Sequence, residues 1–196
     1  MIKTIKHILG VLVAIMAMSG LTSCNYNSLV EKQQDVDQAW AQVENQYQRR
    51  ADLIPNLVNT VKGYASHESQ TLERVTEARA KATSITIDAE NLDEETLAKY
   101  QAAQNELSSA LKSLLAVQEA YPDLKANENF MNLQSQLEGT ENRISTERMR
   151  YTEAVRDYNT AIKKFPTTIY AGWFGFSPKP QFKAEAGAEK APEVNF

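Results

Sequence analysis

The stretch Val36–Tyr64, "VDQAWAQVENQYQRRADLIPNLVNTVKGY", decides the fold. Counting by sevens from Leu29 gives Leu29, Val36, Val43, Arg50, Leu57 and Tyr64, and an interleaved column gives Gln33, Trp40, Tyr47, Ile54 and Val61. Such spacing marks a helix whose apolar seam runs along neighbouring helices. The seam has a few polar members, of which Arg50 carries a full charge, and Pro55 lies inside the helix. The apolar phase of Val43 and Tyr47 resumes at Leu57 and Val61, so the spacing predicts one continuous helix bent at Pro55 rather than two helices. An interior proline costs about 3 kcal/mol through its missing N–H and its clash one turn back. Something outside the helix has to favour that arrangement.

Three further helices follow from the same counting. "SHESQTLERVTEARAKATSI" starts with Ser66 as the expected N-cap and carries Leu72, Val75, Ala78, Ala82 and Ile85 on one face. The next begins with Asn91 and Glu94 in capping-box spacing and gives two columns, Leu97, Gln104, Leu111, Gln118 and Tyr100, Leu107, Leu114, Tyr121, stopping at Pro122. The last runs from Glu128 to Lys164 with Phe130, Leu137, Ile144, Tyr151, Tyr158 and Phe165 in phase, and Pro166 ends it. No strand alternation competes. Helices roughly 50 Å long at 1.5 Å per residue hide such seams by lying antiparallel in a bundle. The expected class is all-α, an antiparallel four-helix bundle in one domain.

The N-terminus reads differently. "MIKTIKHILGVLVAIMAMSGLTSC" opens on Lys3 and Lys6, is apolar from Ile8 to Met18 and ends in small residues before Cys24, the layout of a secretory signal. Its apolar core is short for a membrane span, which needs about 20 residues. Leu21, Thr22, Ser23 and Cys24 resemble a bacterial lipobox, so residues 1–23 are expected to be a lipoprotein signal peptide and Cys24, the single cysteine, the lipidated residue. Cleavage there leaves 173 of the 196 residues and, with Lys3 and Lys6 gone, moves the formal charge from −4 to −6. An acidic chain without a basic patch disfavours nucleic acid and anionic lipid as partners. The expected membrane attachment is therefore through acyl chains on Cys24, each buried methylene contributing about 0.8 kcal/mol.

Beyond Pro166, "TTIYAGWFGF" is aromatic, and "SPKPQFKAEAGAEKAPEVNF" is rich in Pro, Ala, Lys and Glu without a period. Residues 177–196 are expected to form a flexible tail and residues 24–176 the folded domain. Ile169, Tyr170, Trp173, Phe174 and Phe176 either dock onto the bundle or meet a partner or membrane interface, since exposed aromatic clusters mark such sites.

No catalytic constellation stands out. Once His7 leaves with the signal a single imidazole remains, His67, adjacent to Glu68 rather than one helical turn from it, so the pair does not form a metalloprotease face. The glycines are scattered, no nucleotide cradle occurs, and no cofactor or metal is called for. Charged residues at seam positions are the candidates that remain. Arg50, with Glu141 and Arg148 from the last helix, either forms a polar layer inside the bundle or Arg50 snorkels to solvent from a splayed region. Arg49, Arg50, Asp52, Glu141 and Arg148 together are the residues a ligand-binding or hydrolytic site would use.

Several blocks carry a resemblance: "YNSLV" (Tyr26–Val30), Val36–Glu68 with its Arg49–Val58 run "RRADLIPNLV" and its His67-Glu68 pair, "YPDLKA" within Tyr121–Tyr151, the Glu141–Ile144 run "ENRI", and "YNTAIKKFP" (Tyr158–Pro166). In this order they resemble the LemA family over Tyr26 to about Phe182. The resemblance implies an exported, N-terminally tethered, up-and-down-like four-helix bundle from a family without a secure enzymatic assignment. Members usually carry an N-terminal transmembrane helix, whereas here Cys24 takes the place of the span. Asn25 after it is not the aspartate associated with inner-membrane retention in enteric bacteria, which points to the outer membrane. The expected function is a non-catalytic interaction or scaffold module facing the periplasm with an envelope protein as partner. The alternative is a small-ligand-binding protein or hydrolase.

Overall fold

The computed structural model describes residues 2–87 and 92–183, with side chains from Tyr26 onward. The described chain is all-α, as expected: α1 (Ile2–Tyr64), α2 (Ser69–Ser84), α3 (Glu94–Ala116), the single turn α4 (Pro122–Lys125), α5 (Glu128–Lys163) and the short α6 (Thr167–Tyr170). Cys24 and the signal region lie outside the described side chains. Among the described residues no helix is long and apolar enough to cross a membrane.

Helix α1 passes through Pro55 without a break. Proline has no N–H to offer the carbonyl four residues earlier, so the Ala51 oxygen is left over. Arg79 of α2 fills the vacancy, its Nε donating to Ala51 O at 2.8 Å. The compensation for the proline thus comes from the neighbouring helix and ties the two together.

Two helix starts differ from expectation. Ser66 does not cap α2: the Glu68 N–H bonds back to Ala65 O at 3.1 Å, and this turn delays the helix to Ser69. For α3 the cap is Asp93, whose carboxylate accepts the Thr96 N–H at 2.7 Å, and that bond holds its pKa below the ordinary aspartate value. Asn91 lies outside the described residues. The start of α5 agrees with the reading, with Asn127 accepting the Phe130 N–H at 2.9 Å.

Contacts order the helices in space. Trp40 meets Tyr151 with ring centroids 5.4 Å apart while Arg50 meets Glu141, so rising numbers in α1 oppose falling numbers in α5. Gln104 reaches Ala82 O and the Tyr121 hydroxyl reaches Glu68, which sets α3 antiparallel to α2. The seams bury one another: Leu29, Val36, Val43 and Leu57 of α1, Leu97 and Leu107 of α3, and Phe130, Leu137 and Ile144 of α5 are all within the core. Phe165, the last member of the α5 column, lies beyond the helix and is exposed.

The core divides in two at the middle of α1. The part nearer Leu29 joins Val36, Trp40, Val43 and Tyr47 to Tyr100 and to Ile144, Tyr151, Val155 and Tyr158. The other joins Ile54, Leu57 and Val61 to α2, the rest of α3, Leu124, Phe130 and Leu137. Burial raises the pKa of the Tyr47, Tyr100, Tyr151 and Tyr158 hydroxyls above the ordinary phenol value, the mark of a dry interior.

Residues 177–183 correct the expected tail boundary. They pack as a strap: the Tyr151 hydroxyl donates to Pro180 O at 3.0 Å, Asn159 exchanges two hydrogen bonds with the Lys179 backbone at 2.8 and 2.9 Å, and Gln101 donates to Lys183 O at 2.7 Å. Phe182 lies in a stacked arrangement against Trp40, with ring centroids 6.0 Å apart. Residues 184–196 lie outside the described residues. The aromatic segment before the strap splits between its two readings: Tyr170 and Phe176 are buried, and Ile169, Trp173 and Phe174 are exposed.

The role given to Arg79 is checked by a double-mutant cycle. Arg79→Ala strands the Ala51 carbonyl and is expected to cost about 1–3 kcal/mol. In a Pro55→Ala background, where residue 55 regains its N–H, the same change is expected to cost under about 1 kcal/mol. Equal costs by urea unfolding in both backgrounds contradict the assignment.

Candidate functional site

At the junction of the two cores, the side chain of Arg50 leaves α1 and ends between α3 and α5. It is 1% exposed. Its Nη1 donates to Ser108 Oγ at 2.6 Å and to Glu141 Oε1 at 2.5 Å; its Nη2 donates to Gln104 Oε1 at 2.6 Å and to Gln104 O at 3.2 Å. The guanidinium carbon stands 5.1 Å from the centre of the Tyr47 ring. A desolvated cation is tolerated only when charge and hydrogen bonds are both met, and here one carboxylate and three neutral oxygens meet it. Arginine suits this task because its planar fork offers five N–H groups in fixed directions. Four are engaged, and Nε is buried without a hydrogen-bond partner.

Outside this layer the gap between α3 and α5 opens into a groove of about 630 Å³. Arg50 and Tyr47 form part of its wall, Leu111, Leu115, Leu137 and Ile144 add apolar surface, and Glu141, Asn142, Lys112 and Arg148 add polar groups. Glu141 keeps 44% of its side chain exposed, so it faces Arg50 with one edge and solvent with the other. Arg148 lies over the Phe182 ring at 4.5 Å from its centre, which places the strap at the groove's edge. The charges of Arg148 and Arg50 partly offset the effect of burial on the Tyr47 hydroxyl, whose pKa stays raised.

The structure brings Arg50, Glu141 and Arg148 into one neighbourhood and leaves Arg49 and Asp52 outside it. Both are exposed, and Asp52 accepts a bond from Gln48 at 2.7 Å on the surface of α1. One residue along a helix turns the side chain by about 100°, which carries Arg49 off the face that Arg50 occupies. Gln104 and Ser108 were not among the expected site residues. Gln104 had a signal, being a polar member of the column between Leu97 and Leu111; Ser108, off the columns, had none. His67 sits exposed in the turn between α1 and α2, and among the described residues no group of His, Cys, Asp and Glu is placed to hold a metal ion.

The arrangement binds its own chain. With four of its N–H groups committed to protein oxygens, Arg50 has none of them to turn toward a substrate carbonyl or phosphate, so the layer acts as a clasp across three helices.

A model of the LemA family matches residues 39–196. Among curated relatives, "Protein LemA" of Metamycoplasma hominis is 24% identical over 147 residues, covering 75% of this chain and 60% of that protein. "Magnetosome protein MamQ 2" of Paramagnetospirillum magneticum is 26% identical over 193 residues, covering 90% of this chain and 71% of that protein. "Magnetosome protein MamQ" of Magnetospirillum gryphiswaldense is 25% identical over 168 residues, covering 77% of this chain and 62% of that protein. The chain thus spans less than two thirds of the length of the first and third of these.

The clasp predicts an asymmetry between its charged partners. Glu141→Ala leaves a buried cation without its counter-charge and is expected to cost roughly 3 kcal/mol. Arg50→Met removes the cation, keeps most of its volume and leaves a carboxylate that already meets water, at an expected cost below about 1.5 kcal/mol. Urea unfolding of both variants measures this, and the reverse order contradicts the burial argument.

Proposed function

The chain belongs to the LemA family, and from that membership and the course of α1 we propose that it is a membrane-tethered helical interaction module of the bacterial envelope without catalytic activity of its own. The observation that carries the proposal is that α1 (Ile2–Tyr64) runs without a break from Cys24 into the packed body. The helix that remains after cleavage begins at the single cysteine and carries the seam of the packed body, so whatever holds Cys24 holds the body end-on. From Tyr26 to Tyr64 the helix extends roughly 57 Å at 1.5 Å per residue. A rod of that length presents its sides and far end to a partner while its near end stays at the bilayer. Acyl chains on Cys24 supply the tether, the body faces the periplasm, and Asn25 favours the outer membrane over the inner.

Two experiments test this together. Metabolic labelling with a radioactive fatty-acid precursor is expected to mark the wild-type chain and not Cys24→Ala. Crosslinking in living cells is expected to recover one reproducible envelope protein with the labelled chain. Recovery of bulk envelope proteins alone argues against a dedicated partner, and absence of label overturns the lipid tether.

A second reading, a small-ligand site, is favoured by the groove between α3 and α5, whose volume lies in the range of ligand pockets. It requires a metabolite that raises the melting temperature of the wild type and leaves Arg148→Ala unchanged. A broad panel with no such compound removes it.

A further inference from the structure

Among the described residues nine large apolar side chains are exposed, and six of them gather at one end of the molecule: Tyr26, Val30, Phe165, Ile169, Trp173 and Phe174. Trp173 is 83% and Phe165 80% exposed. The segment after α5 brings them there. Tyr170 and Phe176 are anchored in the body, and the short turn Ala171–Phe174 between them turns Trp173 outward. The turn closes at Gly175, which has a φ of 81°, a left-handed conformation that favours glycine.

This end is also where α1 leaves for the N-terminus. The Tyr26 ring packs edge-on against Phe174 at 5.3 Å and Phe176 at 5.6 Å. Tyr26 lies two positions past Cys24, about 3 Å along the helix, and five past Leu21, about 7.5 Å. The polar zone of a leaflet outside the hydrocarbon is roughly 5–7 Å deep. A chain held by acyl groups at Cys24, or by the apolar run before it, therefore carries this aromatic end at the depth of the interface. Trp and Tyr, with an apolar body and a polar tip, settle there, and Phe beside them adds apolar surface that dips toward the acyl chains. The charge around the Phe165 pocket is small, two lysines, Lys32 and Lys164, against Asp157. Attraction to anionic headgroups is not required.

We propose that Phe165, Ile169, Trp173 and Phe174, with Tyr26, form a docking surface for the lipid–water interface of the bilayer to which the chain is tethered, so that the rod stands seated on the membrane rather than swinging on its anchor. The surface rests on the tether proposed above and adds a second contact to it.

The two tryptophans make the test direct, because Trp40 is buried in the core and Trp173 is exposed. The full chain is reconstituted into phosphatidylcholine vesicles with or without bromine-labelled acyl chains, and tryptophan emission is followed alongside quenching by aqueous acrylamide. The expected result is loss of the Trp173 component in brominated vesicles, several-fold protection of it from acrylamide, and no change of either on raising salt. Trp173→Phe, at an exposed position that leaves the core intact, is expected to abolish the brominated-lipid quenching. A Phe165→Ser/Ile169→Ser double variant is expected to reduce it and shift the remaining emission to the red. A chain that floats with the vesicles while Trp173 stays open to acrylamide and unquenched by lipid overturns the docking surface and leaves the tether standing. Protection from acrylamide without lipid quenching also overturns it, showing the patch covered by protein. A chain that does not float overturns the tether and the docking surface together.

Discussion

One buried guanidinium sets the geometry of this molecule. Arg50 leaves α1 at the boundary between two apolar clusters and is met by oxygens from both α3 and α5. Apolar seams by themselves tolerate sliding, because leucine on leucine is nearly as good one notch along. A fork of donors with fixed directions does not tolerate it. Moving α3 or α5 by one residue shifts its oxygens by 1.5 Å and turns them by about 100°, which strands a desolvated cation. The clasp therefore specifies register, the use for which buried polar groups in helical bundles are best attested. It adds little to net stability, since the cost of drying the cation offsets most of its attraction.

A few residues further along α1 a second polar exchange fixes the remaining helix. Pro55 frees the Ala51 carbonyl and Arg79 of α2 takes it. Arg50 and Arg79 thus align the three partners of α1 within about one and a half helical turns of each other. From this waist the helices diverge in length. At 1.5 Å per residue α5 extends about 54 Å and α2 about 24 Å, so α2 cannot cover the half of α1 that holds Trp40 and Val36. The strap of residues 177–183 closes that face, and its Phe182 ring lies on Trp40 and Tyr151. The tail-like composition of the strap and its packed state are compatible because Pro178 and Pro180 lower the entropy lost on ordering it, and its backbone carbonyls find donors in Tyr151, Asn159 and Gln101.

The columns starting at Leu29, Leu97 and Phe130 were legible in the sequence because helix period and burial are the same signal. Arg50 was legible for the opposite reason, as a charge on a column where charge has no business. What escaped was non-local. Nothing near Ser66 says that a backbone turn at Glu68 will displace its cap, nothing around Arg79 says that its target is a carbonyl freed by a proline 24 residues earlier, and a lone phenylalanine among prolines and lysines does not declare that it will cover Trp40. Arg49 and Asp52 were drawn into the site by their adjacency to Arg50 in sequence, which on a helix places them on other faces. The family was legible in the blocks around Arg49–Val58 and Glu141–Ile144, and the structure gives several of those residues a mechanical meaning, with Arg50, Pro55 and Glu141 all belonging to the waist.

Where the chain can meet other molecules follows from where its polar groups are already spent. At the waist, donors and acceptors close on one another and leave only the outer wall of the groove, with Glu141, Lys112 and Arg148, open to solvent. At the end that carries Tyr26 the situation is reversed: α5 has run out, its seam column finishes on an exposed Phe165, and apolar side chains outnumber the places in which they could be buried. A sequence under pressure only to fold would end its helices on polar residues there, since exposed aromatics add an aggregation hazard and nothing to the core. Three of them and Ile169 within ten residues, beside Tyr170 and Phe176 that are anchored in the body, are best understood as surface that is covered when the protein is in place. The segment that holds them continues from Phe176 through the strap to Phe182 under Arg148, so the apolar end and the groove edge are two stations on one packed stretch of backbone.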